Sequence, residues 1–172
     1  MTSYIIEGID SLGKSTLIEA IINEVGYMPV IHYSKPKSLK FSNGSLEKYQ
    51  RQSFINGFQL LTSKVPIIFD RFTIGEYIYA PLYRGYSGTY IFDFEKDYEA
   101  DKMDHTKLIL LTTSNWTFAK DDGESFDFSR KEEEQELFKV AFNKSIFPNK
   151  ILIDINDNGT RKTIDQLLGE IL

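Results

Sequence analysis

The chain has 172 residues and a mass of 19.9 kDa, enough for one domain and little more. Its 41% hydrophobic and 26% charged content is that of a globular protein; the absence of cysteine excludes disulfides and thiolate-held zinc or iron–sulfur centres, and 2 histidines are too few for an imidazole metal cluster. A net charge of −5 opposes non-specific coating of nucleic acid, no apolar run reaches the ~18 residues of a membrane span, and the chain opens on a strand pattern in place of a leader, so a cytoplasmic protein without stable nucleic-acid or membrane partners is expected.

Tyr4-Ile5-Ile6 is the first short apolar run. Directly after it comes Gly8-Ile9-Asp10-Ser11-Leu12-Gly13-Lys14-Ser15, a complete G-x-x-x-x-G-K-[ST] string, and then a helical pattern over Lys14–Val25 stopped by Gly26. Strand, glycine loop and helix in that order make a phosphate cradle. Backbone N–H groups of Gly8, Ser11, Leu12, Gly13, Lys14, Ser15 and Thr16 and the helix N-terminus converge on phosphate oxygens. Lys14 is placed to reach β- and γ-phosphates, and the Ser15 hydroxyl to ligate Mg²⁺.

Val30–Tyr33 is the second strand run, followed by Ser34-Lys35-Pro36-Lys37, where lysines suit either an anionic ligand or a solvated loop. A helix over Ser45–Lys64 aligns Leu46, Phe54, Phe58 and Leu61; Phe54 and Phe58, four apart, read as core or as rings against a ligand. Pro66–Phe69 is the third run and closes on Asp70-Arg71. There the carboxylate can face a metal and the guanidinium a second anion, or the pair can be a strand-end cap with a surface charge. The charged segment Asp93–Met103 reads as an exposed helix, and Lys107–Thr113 as the fourth strand. Ser129 with Glu132 forms a capping box that starts a helix through Leu137, Ala141 and Ile146. Ile151–Ile155 is the fifth strand run, and Thr160–Leu172 the last helix. Near-continuous apolar runs alternating with helices predict a single α/β domain over 1–172, with strands buried on both faces of a parallel sheet.

Ile6-Glu7-Gly8-Ile9-Asp10 with Gly13-Lys14-Ser15-Thr16 resembles the phosphate loop of thymidylate kinases, and Ile68-Phe69-Asp70-Arg71-Phe72 resembles their Asp-Arg-aromatic motif. The stretch from Gly75 to Gly85 is similar to phage-encoded deoxynucleoside monophosphate kinases. The resemblance implies a P-loop nucleoside/nucleotide kinase fold: a five-stranded parallel sheet in the order 2-3-1-4-5 with helices on both faces. It further implies ATP with Mg²⁺ as donor, small nucleotides as partners, a homodimer as the common assembly and, for a phage gene, the host cytoplasm as location. By the same resemblance Lys14, Asp70 and Arg71 are catalytic, Ser15 and Asp70 hold the metal, and Asp10, Lys35, Phe54, Arg71, Phe72, Glu76, Tyr79 and Arg84 meet the acceptor. Tyr77 and Tyr83 join Phe72 and Tyr79 as rings expected beside the acceptor's base or sugar. A lid is implied around 115–130, with Lys120 and Arg130. That segment is poor in arginine: either Arg84 is the substitute, or the protein is a weak or divergent transferase.

A monophosphate acceptor is already anionic and needs no strong general base, whereas a nucleoside hydroxyl does. No carboxylate follows the second strand, which favours a deoxynucleoside 5′-monophosphate, dTMP or a modified pyrimidine analogue. His32 reads either as a substitute base for a hydroxyl or, more commonly for a lone strand histidine, as a structural residue. The loop Asn156–Gly159 lies at the edge expected for adenine, and no Asn-Lys-x-Asp string supports guanine recognition. Two other functions fit the same motifs: a kinase of a deoxynucleoside or of a hydroxymethylated base in DNA, and a non-catalytic nucleotide-binding regulator.

Overall fold

The apolar runs pair into one parallel sheet of five strands: β1 (Ser3–Glu7), β2 (Val30–His32), β3 (Ile68–Asp70), β4 (Thr106–Thr112) and β5 (Asn149–Asp154). Their order is β2-β3-β1-β4-β5. The computed structural model describes residues 1–34, 44–118 and 128–172; Lys35 and Lys120 lie outside them. The helices are α1 (Lys14–Val25), α2 (Ser45–Thr62), α3 (Thr73–Tyr79), α4 (Tyr90–Asp97), α5 (Lys131–Lys144) and α6 (Ile164–Ile171). A π-helical turn, Ala80–Arg84, continues α3, and a two-stranded hairpin of β6 (Asn156–Asp157) and β7 (Thr160–Arg161) follows β5. Helices α1 and α6 pack together on one face of the sheet, and α3, α4 and α5 on the other. The connections leaving the neighbouring strands β1 and β3 run to opposite sides, which opens a crevice beyond their carboxyl ends. No helix among the described residues is long and apolar enough to cross a membrane.

Burial on both faces holds for β1 and nearly all of β4, the inner strands with the longest apolar runs. It does not hold for β2 and β5, which are sheet edges with largely exposed residues. The charged segment is not one exposed helix. Helix α4 begins earlier, at Tyr90, and ends before Glu99, which takes a left-handed conformation (φ 54°) and starts a 3₁₀ turn at Ala100–Lys102. The predicted capping box at Ser129 is not the start of α5. A 3₁₀ turn, Phe128–Arg130, comes first, and α5 begins at Lys131 without a side-chain cap. The capping box of this fold sits instead on α6. There the Thr163 hydroxyl accepts from the Gln166 N–H, and the Gln166 side chain accepts from the Thr163 N–H.

Phe54, Phe58 and Phe69 are buried, as their spacing suggests, and Phe72, expected beside the acceptor, joins them at the centre of one cluster, 4.6 Å from Phe69, 5.0 Å from Phe58 and 5.5 Å from Phe54 between ring centroids. Offset and tilted pairs at these separations each add about 0.5–1.5 kcal/mol beyond the area they bury. The reason Phe72 turns inward is positional: it follows the Asp70-Arg71 turn, and its N–H is tied to the buried Glu7 carboxylate.

A second buried carboxylate staples the helical face. Glu95 of α4 accepts from the Thr73 hydroxyl at 3.1 Å, the Ser145 hydroxyl at 3.0 Å and the Ile146 N–H at 2.9 Å, joining the start of α3 to the end of α5. Burial raises its pKa. Glu95→Ala strands these donors inside the protein and should cost roughly 2–4 kcal/mol in denaturant unfolding. Glu95→Gln, which keeps a carbonyl acceptor, should lose clearly less.

Candidate active site

The loop between β1 and α1 is shaped by two glycines. Gly8 lies at φ 134°, and a Cβ there would stand 2.7 Å from the Leu111 carbonyl oxygen of β4; Gly13 lies at φ 89° and opens α1. Both conformations are nearly closed to other residues, so the string is local backbone chemistry as much as signature. Lys14 folds back across the loop, donating to the Gly8 carbonyl at 2.9 Å and the Ile9 carbonyl at 2.7 Å, with Asp10 at 3.7 Å. Burial lowers its pKa to about 8, against the opposing pull of the Asp70 and Glu7 charges. Ser15 and Thr16 are exposed at the first turn of α1, whereas the Leu12 side chain is buried and only its backbone faces the loop.

The strand ends beside this loop carry the rest of the charge. Ile6 of β1 is in register with Asp70 of β3, and Asp70 with His32 of β2, which brings three carboxyl ends side by side. Asp70 Oδ2 lies 2.8 Å from His32 Nδ1, while its Oδ1 is buried without a hydrogen-bond partner. That free oxygen and the exposed Ser15 hydroxyl fit a Mg²⁺ bound chiefly through substrate phosphates and water, the usual economy of that ion. Arg71, next in sequence, takes a left-handed conformation (φ 63°), and its N–H donates to the Ile6 carbonyl at 2.9 Å. Its guanidinium is paired with Asp10, so Asp10 bridges Lys14 and Arg71.

Glu7, the last residue of β1, was not singled out by sequence. Its Oε1 accepts from the N–H groups of Phe72 at 2.9 Å, Ile74 at 3.0 Å and Gly75 at 3.4 Å. It is fully buried, and desolvation pushes its pKa from 4.5 up to about 7, against those hydrogen bonds and the nearby Arg71 charge. The available signal was an acidic residue closing a buried strand directly before the first loop glycine.

Beyond Arg71 lies a cleft lined by Tyr33, Ser34, Gln50, Phe54, Arg71, Phe72, Gly75, Glu76, Tyr79 and Arg84. It gathers six of the acceptor residues expected from sequence, namely Phe54, Arg71, Phe72, Glu76, Tyr79 and Arg84. Glu76 is buried and already held: Arg84 is ion-paired to it, and the Tyr86 and Tyr90 hydroxyls each donate to it at 2.8 Å. Three polar atoms of the lining residues are buried without a partner: Gln50 Nε2, Arg71 Nε and the Tyr79 hydroxyl. Gln50, on the inner face of α2, is a second residue missed by sequence.

Other expectations are placed elsewhere. Tyr77 turns away to Phe92 at 5.2 Å and accepts from Lys144 at 3.1 Å, and Tyr83 pairs with Glu134; neither lines the cleft. Arg130 is held by Glu133 at 3.0 and 3.2 Å. Most of the expected lid, with Lys120, lies outside the described residues, as does Lys35. Of the stretch Asn156–Gly159, the first two residues form β6 and Asn158-Gly159 the turn of the β6–β7 hairpin.

No protein-family model matches the chain, and no curated protein matches it by sequence. Solved structures match it by shape. The YorR protein of Bacillus subtilis, in complex with phosphorylated GDP, superposes with a TM-score of 0.70 at 21% identity, over 99% of this chain and 93% of that one. Thymidylate kinase from Candida albicans gives 0.61 at 18%, over 99% and 88%, and deoxyadenosine kinase from M. mycoides with bound dCTP gives 0.52 at 19%, over 99% and 98%. At these identities the likeness is one of fold, and the chain has the P-loop nucleotide-kinase fold.

Glu7 gives this site a measurable pH signature. With its folded pKa raised, the native state binds a proton that the unfolded chain releases, so stability falls as pH rises from about 4.5 through 7. Glu7→Gln keeps the carbonyl acceptor and removes the titration. Relative to wild type it should gain on the order of 1–3 kcal/mol above pH 7 and nothing near pH 4, read from denaturant midpoints across that range.

Proposed function

We propose that this protein transfers the γ-phosphoryl group of ATP, with Mg²⁺, to a deoxynucleoside 5′-monophosphate, dTMP or a modified pyrimidine analogue being the acceptor favoured. The observation that carries the reading is the adjacency of two anion sites. The phosphate loop of Gly8–Thr16 lies at one side of Arg71, and a ring-lined cleft with partnerless polar atoms at the other. The thymidylate and deoxyadenosine kinases that share the fold support the same class of reaction.

In this reading the loop N–H groups and Lys14 hold the donor phosphates, Lys14 exchanging its two carbonyl partners for phosphate oxygens. Ser15 and the partnerless Oδ1 of Asp70 would hold the metal, which would supply positive charge to the phosphates. Arg71 leaves Asp10 to clamp the acceptor phosphate, whose oxygen forms a bond to the γ-phosphorus as the bond to the β–γ bridging oxygen breaks and its electron pair departs with ADP. Phe54 and Phe72 supply the apolar wall for the base, and Gln50 the amide that reads its edge. Lys35 and Lys120 stay in the proposal as basic residues flanking acceptor and donor, and a homodimer as its assembly.

The His32–Asp70 contact favours a second reading. A carboxylate that orients one ring nitrogen leaves the other available as a general base, as a nucleoside hydroxyl would require. An ADP-release assay across dNMPs, nucleosides and hydroxymethylated DNA separates the two. Turnover confined to monophosphates is expected, turnover of nucleosides alone would replace the proposal by the second reading, and none with any acceptor would reject both. Lys14→Ala should lower turnover by about 10³-fold or more. Gln50→Met should raise the acceptor KM by about tenfold without destabilising the free protein, because it removes a donor that has no partner there.

A further inference from the structure

Resting on the phosphoryl-transfer reading, we propose that Arg161 is a ligand of the donor phosphates, delivered to the phosphate loop by the β6–β7 hairpin from beyond the last strand of the sheet. The terminal Nη2 of Arg161 stands 2.6 Å from the point that a Cβ on Gly13 would occupy. The guanidinium therefore fills the space left by the bare Cα of the loop's last glycine, directly before Lys14. Among the described residues it makes no ion pair or hydrogen bond, whereas Arg51, Arg71, Arg84 and Arg130 each hold a carboxylate. Arg84, the substitute expected for an arginine-poor lid, is committed to Glu76 on the acceptor side. Arg161 stands with Lys14 on the donor side.

The support beneath Arg161 is built to aim it. Asn158 and Gly159, at φ 49° and 81°, make a two-residue turn of the type that matches strand twist. Arg161 is the cross-strand partner of Asn156, so both side chains project from the same face of the ribbon. That face is turned to the sheet end, since the Asn156 amide donates to the Thr113 hydroxyl and to Asp154. Asn115 donates to the Gly159 carbonyl at 3.3 Å, and the Lys162 N–H to the Ile155 carbonyl at 2.8 Å. A planar guanidinium held beside Gly13 suits the phosphate chain of a nucleoside triphosphate bidentately, and it adds the charge that fixed loop N–H groups lack.

Calorimetric titration with Mg-ATP, Mg-ADP and inorganic triphosphate tests this on wild type, Arg161→Ala, Arg161→Lys and, as a control for net charge, Lys139→Ala on the exposed side of α5. Arg161→Ala should bind all three probes about 10–100-fold more weakly, with Arg161→Lys between it and wild type and the melting temperature of the unliganded protein unchanged. Affinities within twofold of wild type would overturn the assignment while leaving the phosphate-loop reading standing. An equal loss in Lys139→Ala would overturn it as a bulk charge effect. A loss with ATP but none with inorganic triphosphate would also overturn it, moving the contact to the nucleoside. Failure of wild type to bind any probe would overturn both readings.

Discussion

The three N–H groups gathered on the Glu7 carboxylate hold the two halves of the site in one frame. Glu7 ends the strand that launches the phosphate loop, and its partners begin the helix that walls the cleft. Between them Arg71 occupies a backbone conformation that costs about 1 kcal/mol or more outside glycine, and such strain persists only where neighbouring bonds over-determine it. The Arg71 N–H on Ile6 and the Phe72 N–H on Glu7 do that from either side. A neutral side chain could accept the same bonds; a carboxylate also keeps negative charge near Lys14 and Arg71 and accepts a heavy desolvation penalty for it.

Around that frame the cations are paired with carboxylates in a chain: Lys14 and Arg71 share Asp10, and Arg84 meets Glu76. Buried pairs of this kind contribute little net stability, because desolvation offsets most of the attraction. Their value under the proposed function is that each cation already sits at its post. An arriving phosphate replaces a carboxylate, with little rearrangement of backbone.

What was legible in the sequence was what is local. The Gly8–Ser15 string, the extent of α1 and the strand order all follow from residues that act on their own neighbours or from a motif with fixed surroundings. Glu7 and Arg161 were not legible as site residues, since each acquires its place from a partner 60 or more positions away or from a sheet register that periodicity cannot give, and Gln50 acquires its place from the packing of α2 over the cleft. Phe72 belongs to both regions: neighbouring rings and the tie to Glu7 bury it in the core, and it also lines the cleft where its closeness to Asp70 suggested a ligand. The box at Ser129 failed for a related reason: the motif describes a helix start only where the chain arrives extended, and here a 3₁₀ turn already occupies the approach.

The reciprocal bonds of Thr163 and Gln166 have a bearing on how this fold can change. Because α6 terminates itself at its own first turn, and β5 ends in a ladder with β4, the ribbon between them is bracketed by two elements that do not depend on it for their definition. Such a segment behaves as a cassette. Residues can be gained or lost at Asn158-Gly159 without shifting the register of the sheet or the phase of the helix. Variation among descendants of this chain can therefore concentrate at the tip of the ribbon while the strands beneath stay fixed.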